Sequence, residues 1–217
     1  GNSLQTAKYL CTDNTEILSI PALLQKGETQ ITDDVIGIIT PCYSGGLPLI
    51  VQRFLASVKL SATYTFAVIT YGDMLVSAPL QMERFAADQG LNLDYINAVW
   101  MTDTYLPMYE ISGQLEKLPE KKVDVQLEKI KTDLQHRKHF KPKVSILSKL
   151  FGSMMQSGAK KMIGGNADCR FATDDRCTNC GICAKVCPVS NIQIEGKTAF
   201  RHHCEGCLAC VHHCPHQ

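Results

Sequence analysis

Short apolar runs alternate with segments of helical periodicity over the first half of the chain. Runs rich in β-branched residues lie at 16–20, 34–40, 64–70 and 93–101, and their length is typical of strands that are covered on both faces. Helical spacing of apolar residues lies between them, at about 3–12, 48–59 and 77–89. Strands that alternate with helices predict an α/β fold, in which a doubly wound parallel sheet carries helices on both faces.

The segment that follows this alternation contains two further stripes of apolar residues. The first stripe comprises Val123, Leu127, Ile130 and Leu134. The second comprises Leu147, Leu150, Phe151, Met154 and Met155. Both spacings predict helices, and we interpret both stripes as packing faces without chemistry of their own.

Composition and charge divide the chain into three parts. Of the 217 residues, 45% are hydrophobic, which is enough for a buried core and excludes general disorder. Residues 1–109 carry five basic and ten acidic groups, 110–161 carry twelve and six, and 162–217 carry five of each. We therefore predict an acidic first domain at 1–110, a basic helical connector at 111–167 and a small domain at 168–217. The connector is interpreted as a solvated helical face rather than a nucleic-acid site, because it has few aromatic residues.

The cysteines indicate a metal-binding tail in a chain that is not secreted. No run of about eighteen apolar residues exists, so no membrane span is predicted, and no secretory signal is visible at the N-terminus. A cytoplasmic location is therefore predicted. Eleven cysteines cannot all be paired in disulfides, and nine of them lie within 169–217, where such crowding favours metal ligands.

These cysteines form a repeat of 27 residues. The spacing C-x2-C-x2-C-x3-C-P occurs twice, first as Cys177, Cys180, Cys183 and Cys187, then as Cys204, Cys207, Cys210 and Cys214. It is the signature of bacterial two-cluster ferredoxins, in which the fourth cysteine of each repeat binds the other cluster. The expected ligand sets for two [4Fe-4S] clusters are Cys177, Cys180, Cys183 with Cys214, and Cys204, Cys207, Cys210 with Cys187.

Two zinc sites are the alternative, but zinc sites usually pair C-x2-C units across a longer gap. Between the repeats, 191–197 reads as a hairpin, and Gly181 and Gly206 are expected to let backbone N–H groups approach the cluster sulfurs. The histidines at 202, 203, 212 and 213 are interpreted as exposed groups, and the remaining thiols, Cys11, Cys42 and Cys169, as ordinary cysteines.

Three loops of the first domain resemble those that hold FMN in flavodoxins. Gly1-Asn2-Ser3 resembles the end of the flavodoxin phosphate loop, running into a helix whose N-terminus would face the phosphate. The segment 40–48, Thr-Pro-Cys-Tyr-Ser-Gly-Gly-Leu-Pro, resembles the loop on one side of the flavin ring. Thr70-Tyr71-Gly72-Asp73 resembles the loop on the other side. In the flavodoxin fold all three loops fall at the C-terminal ends of strands, at the edge where open α/β sheets bind ligands.

The whole chain thus resembles a flavodoxin-like domain fused to a two-cluster ferredoxin, a family typical of anaerobic prokaryotes. The resemblance implies that Asn2 and Ser3 bind the FMN phosphate. It implies that Pro41, Tyr43, Gly45 and Gly46 flank one side of the ring, and that Thr70, Tyr71, Gly72 and Asp73 flank the other. The first strand of the flavodoxin fold has no counterpart in the sequence, which begins within the phosphate loop, so we expect further residues at that end.

Electron transfer between two clusters and FMN is the function that this resemblance implies. FMN exchanges one or two electrons and each cluster exchanges one, so the chain would connect one-electron and two-electron partners. Donor and acceptor proteins remain open, as does a homo-oligomeric state. The first alternative is an FMN-dependent oxidoreductase that reduces a small molecule such as a quinone, with Asp103 and Tyr105 at the flavin edge. A capping aspartate and a packed tyrosine are the simpler interpretation of these two residues. The second alternative is a zinc-stabilised binding module.

Overall fold

The computed structural model describes residues 1–143 and 167–216. The chain divides into two compact units, Gly1–Gln156 and Ser157–Gln217. The second apolar stripe of the connector, at 147–155, lies outside the described residues. Within the described ranges, no helix has both the length and the apolar character to cross a membrane.

The first unit alternates helices and strands along the described part of its sequence. Its helices are α1 (Asn2–Leu10), α2 (Ile20–Lys26), α3 (Leu49–Ser57), α4 (Ala78–Ala87), α5 (Ile111–Glu116), α6 (Leu118–Lys121) and α7 (Val123–Gln135). Its strands are β1 (Gln30–Thr32), β2 (Val35–Pro41), β3 (Lys59–Ser61), β4 (Tyr64–Tyr71) and β5 (Tyr95–Trp100). The fold is therefore of the mixed α/β class.

A three-stranded parallel sheet in the order β2-β4-β5 forms the centre of this unit. Ile38 pairs with Ala67, which in turn pairs with Ile96. In β4, Ala67, Val68 and Ile69 are all 0% exposed. Since consecutive side chains of a strand point to opposite faces, both faces of the sheet are covered. This arrangement confirms the strands predicted near 34–40, 64–70 and 93–101.

Helices cover the sheet and contribute much of its core. Helices α1 and α7 pack on each other. Helix α1 also packs against β2 and β4, and α7 packs against β5. Helix α4 packs against α3, β4 and β5. Leu127 and Ile130 of α7 are buried in one cluster with Val68 and Val99. The first connector stripe is therefore a packing face, as predicted.

The strand predicted at 16–20 is wrong. Residues 15–19 have no regular secondary structure, and α2 begins at Ile20, with Pro21 in its first turn. Ile17 and Leu18 are 43% and 45% exposed. An extended segment becomes a strand only when a neighbouring strand accepts its hydrogen bonds, and no described strand pairs with this one. A short parallel pair, β1 with β3, lies instead at 30–32 and 59–61.

The second unit is built from short elements around a hairpin. A 3₁₀ turn (Ala167–Arg170) precedes α8 (Ile182–Val186), β6 (Ile192–Ile194), β7 (Thr198–Phe200) and α9 (Ala209–His212). The two strands are antiparallel, with Ile192 opposite Phe200, so the hairpin predicted at 191–197 is confirmed. Each cysteine repeat runs through a loop into one of the two short helices.

Candidate functional site

The first repeat wraps around the N-terminus of α8. Gly181 has a φ of 78° and caps this helix, a conformation that glycine adopts without strain. Cys177 and Cys180 lie in the loop before the cap and Cys183 lies on the helix. The sulfur of Cys183 interacts electrostatically with those of Cys177 and Cys180, and burial raises the pKa of the Cys183 thiol. The three cysteines therefore form one group.

The second repeat forms a matching group at α9. The backbone N–H of Gly206, a residue with a φ of 68°, donates to Cys204 Sγ at 3.3 Å, as predicted for this glycine. The N–H groups of Ala209 and Val211 donate to the sulfurs of Cys207 and Cys210. Burial raises the pKa of the thiols at 204, 207 and 210. Because iron binds thiolates, loading this group with metal must release protons.

The fourth cysteine of each repeat lies near the other group. Cys187 interacts electrostatically with Cys204, Cys207 and Cys210. Cys214 interacts with Arg176, which adjoins Cys177 in the chain. The hydroxyl of Thr178 and Nε2 of His216 are 3.2 Å apart, which brings the end of the chain to the first repeat. This crossed arrangement is the one that the ferredoxin signature implies.

The donor set of the two repeats fits iron–sulfur clusters. Eight thiols lie at the spacing of the ferredoxin signature, and thiolates are the soft ligands that such clusters take. Among the described residues, the repeat cysteines supply no group of three metal-binding atoms within 4.8 Å of one another.

One such compact group does occur nearby, at Asp168, Cys169 and His202. Hydrogen bonds account for its buried member, because Oδ2 of Asp168 accepts from Nδ2 of Asn191 at 2.8 Å and from the backbone N–H of His202 at 3.1 Å. Oδ1 lies 3.3 Å from Nδ1 of His202. Cys169 and His202 are exposed, as predicted for the histidines.

Sequence reasoning missed the buried network that begins at Asp168. Asn191, 1% exposed, accepts at Oδ1 from the N–H of His203 at 2.8 Å and donates its own N–H to Cys187 Sγ at 3.2 Å. The carbonyl of Asn191 accepts from the N–H of Arg201 at 2.8 Å. The partners are separated by up to 34 residues, so no local pattern indicates this network.

The loop predicted to flank one side of a flavin is a tight turn after β2. Tyr43 and Gly46 exchange backbone hydrogen bonds of 2.9 and 3.0 Å across Ser44 and Gly45, whose φ angles are 49° and 75°. The carbonyl of Gly45 accepts from both the N–H and the hydroxyl of Ser77 at 3.1 Å. Pro41 ends β2 and Tyr43 is half-buried beside it. The loop is thus fixed against the start of α4.

The N-terminus of α1 and the end of β4 meet at the same edge of the sheet. Oγ of Ser3 and Oγ1 of Thr70 are 2.8 Å apart, and Nδ2 of Asn2 donates to the carbonyl of Thr102 at 2.9 Å. These contacts bring the residues predicted to bind phosphate beside the first residue of the loop at 70–73. Tyr71 is half-buried, and burial raises the pKa of its hydroxyl.

The other end of that loop packs against the chain after β5. Gly72 lies so close to Asp103 that a Cβ atom would collide with the carboxylate. The N–H of Asp73 lies 3.4 Å from Oδ2 of Asp103, and the hydroxyl of Tyr109 bonds to the side chain of Asp73. Oδ1 of Asp103 accepts from the N–H of Tyr105 at 3.0 Å, so this aspartate stabilises a local turn.

A buried lysine supports the same edge and was not predicted. Lys121 is 2% exposed, and its Nζ donates to the carbonyl of Met101 at 2.7 Å and to Oε1 of Gln114 at 3.2 Å. The same Gln114 oxygen accepts from the N–H of Asp103 at 3.2 Å. Burial lowers the pKa of Lys121. Helices α5 and α6 therefore hold the strand end that carries Asp103.

Cys42, which lies within the predicted flavin loop, is a packed thiol. Its Sγ donates to the carbonyl of Met74 at 3.3 Å, and burial raises its pKa to about 12. Cys11 follows α1 directly and is half-buried. Both thiols lie more than one hundred residues before the first repeat cysteine in the sequence.

Comparison with known proteins identifies the second unit. Residues 170–215 match the family model described as a 4Fe-4S dicluster domain. No curated protein and no solved structure matches the chain. The chain therefore contains, at 170–215, a ferredoxin-type dicluster domain that binds at least one iron–sulfur cluster, which indicates a role in electron transfer.

Proposed function

We propose that this chain is an electron-transfer protein that holds two [4Fe-4S] clusters and one FMN. The observation that carries the proposal is the crossed arrangement of the two cysteine groups within a segment matched by a dicluster family. Cys177, Cys180, Cys183 and Cys214 would hold one cluster. Cys204, Cys207, Cys210 and Cys187 would hold the other.

The N–H groups around the sulfurs suit thiolates that carry a cluster. Donors such as Gly206 N–H to Cys204 Sγ, at 3.3 Å, stabilise negative charge on sulfur and thereby adjust the reduction potential. The burial of Cys204, Cys207 and Cys210 that raises their pKa would also limit the access of water to a cluster. Both features are expected of an electron carrier.

The first unit is proposed to be a flavodoxin-like FMN domain. Support comes from the strand order β2-β4-β5, which agrees with strands 3-4-5 of a flavodoxin-like sheet, and from three loops at one sheet edge. The first turn of α1 and the hydroxyls of Ser3 and Thr70, 2.8 Å apart, offer donors to a phosphate. Tyr43 and Tyr71 offer half-buried rings beside them. Bound FMN would supply exchange of one or two electrons.

The two parts together suggest a converter between one-electron and two-electron partners. Redox proteins are the proposed donor and acceptor. The protein itself would position the cofactors, exclude water and supply hydrogen bonds to sulfur. Reduction of a small molecule at the flavin is the competing activity, and turnover of a quinone without any protein acceptor would favour it.

Anaerobic reconstitution of the full chain tests the proposal. After addition of iron, sulfide and FMN and removal of the excess, we expect about eight iron and eight sulfide atoms per chain, with one flavin. The spectrum should combine broad cluster absorbance with flavin bands. Preferential zinc binding without sulfide would contradict the cluster assignment, and a flavin-free protein with full iron content would contradict only the FMN assignment.

Two hydroxyl variants test the proposed phosphate site. Ser3→Ala and Thr70→Val should each weaken FMN binding by about 10- to 150-fold, because a hydrogen bond to a charged group contributes about 1.5–3 kcal/mol. Fluorescence titration of FMN into the cluster-loaded protein measures this change. Ser57→Ala serves as a control, because the Ser57 hydroxyl bonds only to the carbonyl of Arg53 among the contacts described. Equal affinities in all three variants would contradict the assigned phosphate site.

A further inference from the structure

Asp168 lies just before the matched dicluster segment at 170–215, and its charged side chain is 0% exposed. A buried carboxylate is costly unless several donors satisfy it. Asp168 has such donors in Nδ2 of Asn191 at 2.8 Å and the N–H of His202 at 3.1 Å. It therefore ties the chain after the first repeat to the chain before the second.

Asn191 connects Asp168 to the sulfur of Cys187 through hydrogen bonds. Its side chain is held at both ends, by Asp168 and by the N–H of His203 at 2.8 Å. Its backbone N–H donates to Cys187 Sγ at 3.2 Å. With the amide side chain fixed in this way, the N–H is kept at hydrogen-bond distance from the sulfur. Asp168 itself interacts electrostatically with Cys204.

We propose that the Asp168–Asn191 pair is a positioning element that sets the reduction potential of the cluster bound by Cys187 and Cys204. This inference rests on the proposed function, because it requires that cluster. The pair acts by two routes. Asn191 fixes an N–H donor on the Cys187 sulfur, which favours the reduced, more negative cluster, and the buried negative charge of Asp168 disfavours it.

The two routes predict shifts of opposite sign. Asn191→Ala releases the donor, so one cluster midpoint should become more negative. Asp168→Asn keeps the shape of the side chain, because an amide oxygen can accept from Asn191 and His202 N–H while its NH2 group faces Nδ1 of His202. With the charge removed, the same midpoint should become less negative. The other midpoint should not move in either variant.

Redox titrations of the reconstituted full chain, followed by electron paramagnetic resonance, test this inference. Asn179→Ala is the matched control, since Asn179 donates to the carbonyl of Gly196 at 3.1 Å and lies beside Cys177; it should leave the midpoint affected by Asn191→Ala unchanged. Midpoints unchanged in Asn191→Ala and Asp168→Asn, with only a lower melting temperature, would reduce the pair to a structural role and overturn the inference.

Iron and sulfide analysis separates this result from failure of the proposed function. If the wild-type chain does not hold two clusters, the proposed function itself fails. If the wild-type chain holds two clusters but Asn191→Ala loses iron, the test depends on Asp168→Asn. A cluster midpoint potential that does not become less negative in Asp168→Asn then contradicts the inference.

Discussion

The thiol of Cys42 lies in a loop where a reactive cysteine would be of interest, but its surroundings make it inert. Its Sγ donates to the Met74 carbonyl, and burial raises its pKa from 9.0 to about 12. Since the thiolate is the nucleophile, iodoacetamide at pH 8 should leave Cys42 unmodified in the folded protein while labelling the exposed Cys169. Peptide mass spectrometry measures both sites.

The raised pKa of Cys42 also makes the stability of the fold depend on pH. A pKa raised on folding means that the folded state retains a proton that the unfolded state loses, so stability falls as pH rises from about 9 toward 12. Cys42→Ala should reduce this dependence of the unfolding free energy on pH. Rapid alkylation of Cys42 at pH 8 would contradict its assignment as a packed thiol.

Cys187 offers a direct test of the crossed ligand sets. Its sulfur interacts electrostatically with those of Cys204, Cys207 and Cys210, which belong to the other repeat. Cys187→Ala should therefore remove one cluster and lower the iron content from about eight to about four atoms per chain. Cys169→Ala is the control, since Cys169 is exposed and outside the repeat.

The identity of the lost cluster distinguishes crossed from uncrossed sets. If Cys187→Ala and Cys210→Ala leave the same cluster spectrum and Cys183→Ala leaves a different one, the crossed sets are correct. If Cys187→Ala instead matches Cys183→Ala, each repeat holds its own cluster, contrary to the signature.

At the scale of elements, helix α7 depends on one buried face. Leu127 and Ile130 are 2% and 1% exposed, whereas Val125 of the same helix is 66% exposed. Leu127→Ala should lower the unfolding free energy by about 2–5 kcal/mol because it leaves a cavity against β5. Val125→Ala should change it by less than about 0.5 kcal/mol.

Urea unfolding of the full chain, followed by Trp100 fluorescence, measures the effect of both substitutions. Trp100 reports on this region because Oε1 of Gln126 in α7 accepts from the Trp100 backbone N–H at 2.9 Å. A Leu127→Ala variant as stable as Val125→Ala would mean that α7 does not form part of this core.

The elements that could be predicted from sequence are those with strong periodicity and many buried residues. The strands at 35–41 and 64–71 and the helix at 123–135 follow directly from apolar patterns. The segment 16–20 has a strand-like composition but no partner strand among those described, and pairing is a property of the fold rather than of the segment. The short pair β1 and β3 has three residues per strand, which is too few for a periodic signal.

The same distinction applies to the candidate site. The cysteine ligands are close in sequence at fixed spacing, so the cluster chemistry could be predicted from the sequence. Asp168 and Asn191 are 23 residues apart, and Lys121 meets Met101 from 20 residues away. Such supporting residues become recognisable only when the fold brings them together.

At the scale of the whole molecule, the two units differ in how they are stabilised. The first has a large apolar core that includes Phe54, Ile69, Met82 and Val99. Among the described residues of the second, only Ile192 and Leu208 are buried hydrophobics. Small domains with so little apolar core often depend on metals or disulfides, and the repeat cysteines are free thiols. Cluster binding should therefore supply much of the folding free energy of the second unit.

Removal of iron from the full chain should consequently unfold one unit and spare the other. After anaerobic chelation, hydrogen exchange followed by mass spectrometry should show rapid exchange in peptides from 167–216, because the hairpin and the short helices lose the clusters that join them. Peptides from β2, β4 and β5 should keep their protection, since that sheet is covered on both faces by side chains alone. Reconstitution with iron and sulfide should restore slow exchange at 167–216, whereas zinc should not, because the cysteine pattern is that of clusters that each take ligands from both repeats. Protection of 167–216 that survives complete removal of iron would contradict this account, since it would mean that the few apolar contacts of the second unit are sufficient to fold it.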